Sequence, residues 1–179
     1  VGFLRTRIEF IESLFAPGEV SEIWITFADP QIGREKKRLT APLFMSRYRN
    51  FLKPGGIIHL KTDSRYLHEY SRAMAEQNGL HILAAATDIY GADRERLYES
   101  EFSSICGRAA VDALFEVQTF YESQYLAQGF QITYLAFMPD HSGEYVSPEW
   151  DEDAWKDENH HFVIASGLSV ASKFYPDEK

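Results

Sequence analysis

The chain has one cysteine, Cys106, in 179 residues. That excludes an internal disulfide and any metal site built from several thiolates. It suits a reducing cytoplasm, the expected location. No apolar run approaches the ~20 residues needed to span a bilayer, and no signal-peptide pattern is visible. There is no internal repeat, and no low-complexity stretch before the acidic end of the chain. The six histidines show no ligand spacing, so no metal is assigned. A starting Met is absent too: "VGFLRT" already reads as a strand over Val1 to Thr6, so the chain reads as a piece lacking an N-terminal portion.

What is present belongs to a folded protein. Apolar residues make up 45% and aromatic residues 15%, enough for one domain with a packed interior. The net charge of -9 is unevenly spread. Residues 1–139 hold 15 Lys+Arg and 17 Asp+Glu, whereas residues 140–179 hold 3 and 10. The body is therefore near neutral, and the overall acidity does not exclude a nucleic-acid partner, because the local field decides.

The periodicity predicts alternating strands and helices. Ile8, Ile11, Leu14 and Phe15 share a helical face that Pro17-Gly18 stops. Ile23 to Phe27 is a continuous apolar run, as in a strand buried on both faces. Thr40 can N-cap a helix with Pro42 in its first turn, and Lys53-Pro54-Gly55-Gly56 ends it. A strand follows over Ile57 to Lys61, then a helix marked by Leu67, Tyr70 and Met74 and closed by Asn78-Gly79. Leu80 to Ala86 is a strand and residues 87–118 are partly helical. A helix over Thr119 to Ala127 precedes a final strand over Phe130 to Met138. This order argues for an α/β fold with a mostly parallel sheet, the last strands pairing antiparallel. Residues 1–139 form the C-terminal portion of a domain. Residues 140–179 form an acidic extension whose first part, 140–158, reads as a poorly ordered arm, while 161–172 can dock back.

In open α/β sheets ligands sit beyond the carboxyl ends of the strands. Asp29 follows one strand and Asp63 the next, so right-handed crossovers put both on one rim. Beside Asp29 four of the five residues from Arg34 to Arg38 are cationic. Each piece also has a plain structural reading. Asp29-Pro30 fits a turn, Asp63 an N-cap, "TFYE" (Thr119 to Glu122) a capping box, and the basic run a solvated helix start. Cations at a helix N-terminus oppose its dipole, however, which hints at an anionic partner.

Five stretches, in order, resemble the tRNA (guanine-N7-)-methyltransferase family in its Bacteroidetes form: "ITFADPQ", "KKRLT", "LKPGGIIHLKTD", "TFYE" and "GFQITYLAF". The resemblance covers about residues 1–139 and implies a Rossmann-like class I methyltransferase fold, S-adenosylmethionine as cofactor and tRNA as partner. It implies a catalytic Asp29 that also lies beside the cofactor. Asp63, Thr119, Glu122 and Arg34 become substrate-binding, and Arg34, Lys36, Lys37 and Arg38 become RNA contacts. Gln31 replaces the family's Trp after Asp-Pro, and Arg7 stands near the position of an adenine-side acid. The family's cofactor loop would lie upstream of Val1, leaving a gap in the sheet between the Val1 to Thr6 strand and the Ile23 to Phe27 strand. Two alternatives remain: a Rossmann-like methyltransferase acting on amino groups, and a non-catalytic RNA-binding subunit with this fold.

Overall fold

The computed structural model describes residues 5–155. Four strands form one sheet in the order β1-β2-β4-β3: β1 (Val20–Thr26), β2 (Leu52–Thr62), β3 (His81–Ala86) and β4 (Thr133–Met138). β1 and β2 are parallel. The last strand inserts antiparallel between β2 and β3, which leaves β3 running the same way as β2. This mixed sheet with helices fits a Rossmann-like methyltransferase fold.

Alternation along the central strand divides the core into two layers. Ile58 and Leu60 of β2 face α1 (Pro42–Phe51) and α2 (Arg65–Gln77), joining Phe44, Met45, Tyr70, Met74 and Phe137. Ile57 faces the other side, with Phe102, Val111, Leu114 and Tyr134. That second layer is covered by α3 (Arg94–Tyr98), α4 (Glu101–Cys106) and α5 (Arg108–Glu116), the helices within the region read as partly helical. α6 (Phe120–Ala127) leads into β4.

Local chemistry sets the element ends. Pro42 occupies the first turn of α1, so the cap falls on Ala41 rather than Thr40. Thr40 instead pairs its hydroxyl with that of Ser71 at 2.7 Å inside the core. Ser64, not Asp63, caps α2 by accepting from Leu67 N–H. Residues 8–13 form a 3-10 turn instead of an α-helix. Of the strand expected over Val1 to Thr6, residues 1–4 lie outside the described residues and Arg5 and Thr6 carry no strand.

Two further expectations are corrected. β1 is an edge strand of the described sheet: only Ile25 is buried and Trp24 is 45% exposed. A cavity of ≈ 480 Å³ opens against it, lined by Ile8, Ile11, Phe15 and Ile23 among others. The apolar run records a strand suited to burial, but only one neighbour pairs with it here. The acidic arm is ordered over 140–155. Asn78 donates to Val146 O at 2.9 Å and accepts from Val146 N–H at 2.8 Å. Arg49 donates to His141 O and Gly143 O, and Trp150 packs edge-on against Tyr66 and Tyr70. The region expected to dock, 161–172, lies outside the described residues. No described helix is long and apolar enough to cross a membrane.

Candidate functional site

The parallel register pairs Thr26 with Lys61, and Phe27 N–H donates to Lys61 O at 2.9 Å. The loops after β1 and β2 therefore leave the same edge of the sheet. Phe27 then adopts φ 50 and Gln31 φ 50. Left-handed backbone at non-glycine residues costs free energy and concentrates at functional loops. Between them, the exposed Asp29 accepts from Gln31 N–H through Oδ1 at 2.8 Å, an Asx turn. The turn reading of Asp29-Pro30 and an outward-facing carboxylate thus coexist.

The basic run is split by the fold. Residues Glu35–Lys37 form a 3-10 turn; Arg34, Lys36 and Lys37 are exposed. Arg38 turns inward and is 1% exposed, which corrects its expected place among surface RNA contacts. Its guanidinium donates to Pro30 O at 3.1 Å and to Glu152 at 3.0 Å. It also bonds the Tyr66 hydroxyl and lies over the Tyr66 and Tyr70 rings at 4.8 and 4.3 Å. An arginine suits this position because a planar guanidinium can stack and hydrogen-bond at once.

Asp63 is partly buried and lines a cavity of ≈ 540 Å³ with Arg65, Thr87, Phe130, Gln131 and Trp155. Burial raises its carboxyl above the ordinary value, and hydrogen bonds from its own backbone and from Thr62 partly offset that. A half-desolvated acceptor of this kind gains most from a partner that brings hydrogen-bond donors.

Thr119 and Glu122 form the capping box of α6: each side chain reaches the other's backbone N–H. Glu122 is fully buried. Besides Thr119 N–H it accepts from the Tyr90 hydroxyl at 2.7 Å and pairs with Lys61 Nζ at 2.6 Å. Lys61 also donates to Leu114 O at 2.5 Å. Burial lowers the Lys61 ammonium from its ordinary range, while Glu122 acts the other way. With its ammonium held between Glu122 and a carbonyl, we assign the charged form. Lys61, Thr119 and Glu122 line an apolar cavity of ≈ 350 Å³ together with Trp24, Thr26 and Leu114.

The structure therefore brings Thr119 and Glu122 into one cavity and sets Asp63 in another. It carries Asp29 on an exposed loop at the same sheet edge. Lys61 and Tyr90 escaped the sequence reading. The signal for Lys61 was a lysine ending the apolar run "IIHLK"; nothing in the sequence ties Tyr90 to Glu122.

A family model described as "Putative methyltransferase" matches residues 3–101. Among curated proteins, the tRNA (guanine-N(7)-)-methyltransferase of Bacteroides fragilis is 44% identical over 149 residues, 83% of this chain and 53% of that protein. The protein of the same name from Christiangramia forsetii is 48% identical over 139 residues, 76% and 55% of the two chains. That of Porphyromonas gingivalis is 40% identical over 162 residues, 89% and 60%. The chain thus spans little more than half the length of these curated relatives.

Proposed function

Because this chain belongs to the methyltransferase family that its residues 3–101 match, we propose that the protein methylates N7 of a guanine in tRNA, with S-adenosylmethionine as methyl donor. The names of the similar proteins support the substrate. The variable-loop guanine is the target the resemblance suggests, and the cytoplasm is the compartment where such a substrate is met. The observation that carries the reading is the parallel Thr26–Lys61 pairing, which sends the Asp29 loop and Asp63 off one sheet edge.

The residues present suit the cofactor: an exposed carboxylate at a strand end, Asp29, fits beside a cationic sulfur. When bound, S-adenosylmethionine supplies the methyl group on that sulfur. Guanine N7 carries an in-plane lone pair and no proton, so no side chain has to act as a base there. The protein's work is orientation, worth about 7–11 kcal/mol in favourable cases, and balancing the positive charge that methylation leaves on the base. Asp63 accepts from guanine N1–H and N2–H₂, which fixes the base and favours that charge. Thr119 lines a separate cavity with Lys61 and caps α6. Glu122 touches no solvent and acts as a positioning residue by holding Lys61 and α6. Arg34, Lys36 and Lys37 meet phosphates.

Asp29→Asn and Asp63→Asn in the complete protein are each expected to lower 7-methylguanine formation in unmodified tRNA by about 10²-fold. Near-normal rates for both would place the site elsewhere.

A further inference from the structure

One oxygen of Glu152 is held by three donors from two parts of the candidate site. Glu152 Oε1 accepts from Gly33 N–H at 3.3 Å, from Arg38 at 3.0 Å, and from the Tyr66 hydroxyl. Gly33 and Arg38 belong to the loop after β1, and Tyr66 to α2. These donors, Tyr66 first, hold the Glu152 carboxyl below its ordinary range against the opposing effect of burial. A backbone N–H, a guanidinium and a hydroxyl converging on one anionic oxygen make an oxyanion cradle, equally suited to a phosphate oxygen.

The occupant comes from an unusual segment. Residues 140–155 contain six Asp and Glu and no Lys or Arg, and through Glu152 they reach Gly33 and Arg38 of the loop that carries the cations. Val146 on Asn78 and His141 and Gly143 on Arg49 anchor the start of the segment, and Trp150, packed edge-on against Tyr66 and Tyr70, must release together with Glu152. Residues 147–149 link that anchored part to Trp150 and Glu152. The Glu152 side chain keeps 34% exposure, so its place is open to exchange from solvent.

We propose that Gly33 N–H, Arg38 and Tyr66 form a binding site for an RNA phosphate, and that Glu152 fills it in the free protein. The 147–155 strap then competes with the tRNA backbone for the loop. This rests on the tRNA reading above. It also returns Arg38 to RNA contact, in a state reached when the strap lifts.

The test uses the complete protein and unmodified tRNA. Hydrogen–deuterium exchange at residues 150–155 is expected to speed up when tRNA is bound. Glu152→Gln, which keeps an acceptor oxygen and removes the charge, is expected to tighten tRNA binding about 3-fold or more. Bound tRNA with the strap still protected and an unchanged Kd for Glu152→Gln would overturn the site and leave the tRNA reading standing. Failure of both forms to bind tRNA would overturn the reading itself, and the site with it.

Discussion

Two buried imidazoles, His59 and His68, set a pH window for stability. His59 lies on β2, stacked on Trp24 at 4.0 Å and 3°, with Nδ1 2.8 Å from the Tyr134 hydroxyl. Glu22 approaches its Nε2 at 3.5 Å, yet that nitrogen makes no hydrogen bond among the described residues. We therefore take desolvation to win and the ring to be neutral. His68 on α2 has neither ring nitrogen bonded among the described residues. Burial pushes both down from 6.5 to about 4. The unfolded chain then binds more protons than the folded one between those values. The stability they contribute is complete above pH 6.5 and is lost as pH falls toward 4. Each imidazole contributes a loss of about 2 kcal/mol between pH 7 and pH 5, mostly above the range where carboxylates titrate. Urea unfolding at the two pH values should show it, and His68→Leu should remove roughly half of the drop. At this scale the sequence was half legible. His59 and Lys61 interrupt an otherwise apolar run, so their presence on a buried strand could be read. Their partners, Tyr134, Glu22, Glu122 and Leu114, lie on other elements and could not.

Elements were the most legible level, because periodicity and caps are local. β3, α2 and α6 lie close to their expected positions, whereas β2 begins at Leu52 and takes in the Lys53 to Gly56 stretch expected to end the helix before it. The capping box of α6 was readable because all its donors and acceptors lie within four residues. Thr119→Ala should cost about 1 kcal/mol of stability and loosen the Glu122–Lys61 geometry. Thr119→Ser should recover most of it, since it keeps the accepting oxygen. Chemical unfolding checks the first effect, and methylation of tRNA by the two variants checks the second. Where element reading missed, the deciding partner was distant. The Ile23 to Phe27 run does not tell whether a strand pairs on one side or two. The acidity of residues 140–155 concealed Val146 and Trp150, whose contacts on Asn78, Tyr66 and Tyr70 hold that segment in place. The split of the basic run, with Arg38 turned inward, likewise depends on a glutamate more than a hundred residues away.

For the whole molecule, charge and the proposed tRNA partner pull in opposite directions. A chain of net charge -9 repels a polyanion at long range, and beyond the Debye length, ~8 Å at physiological ionic strength, that repulsion is screened. Binding must then come from a small number of close phosphate contacts, and the exposed Arg34, Lys36 and Lys37 beside Asp29 are where the fold offers them. Each cation that neutralises a phosphate releases counterions and adds roughly 0.7–0.9 to the slope of log affinity against log salt. Replacing Arg34, Lys36 and Lys37 together by Ala should weaken tRNA binding at low salt and flatten that slope by about 2 to 3. It should leave unfolding unchanged, because all three side chains are exposed. Arg38→Ala belongs to a different class: it removes a buried cation that holds Glu152, Tyr66 and Pro30, so its first effect should be on stability. A salt titration of tRNA binding by the triple variant separates the two roles. An unaltered slope would mean that the phosphates meet the protein elsewhere.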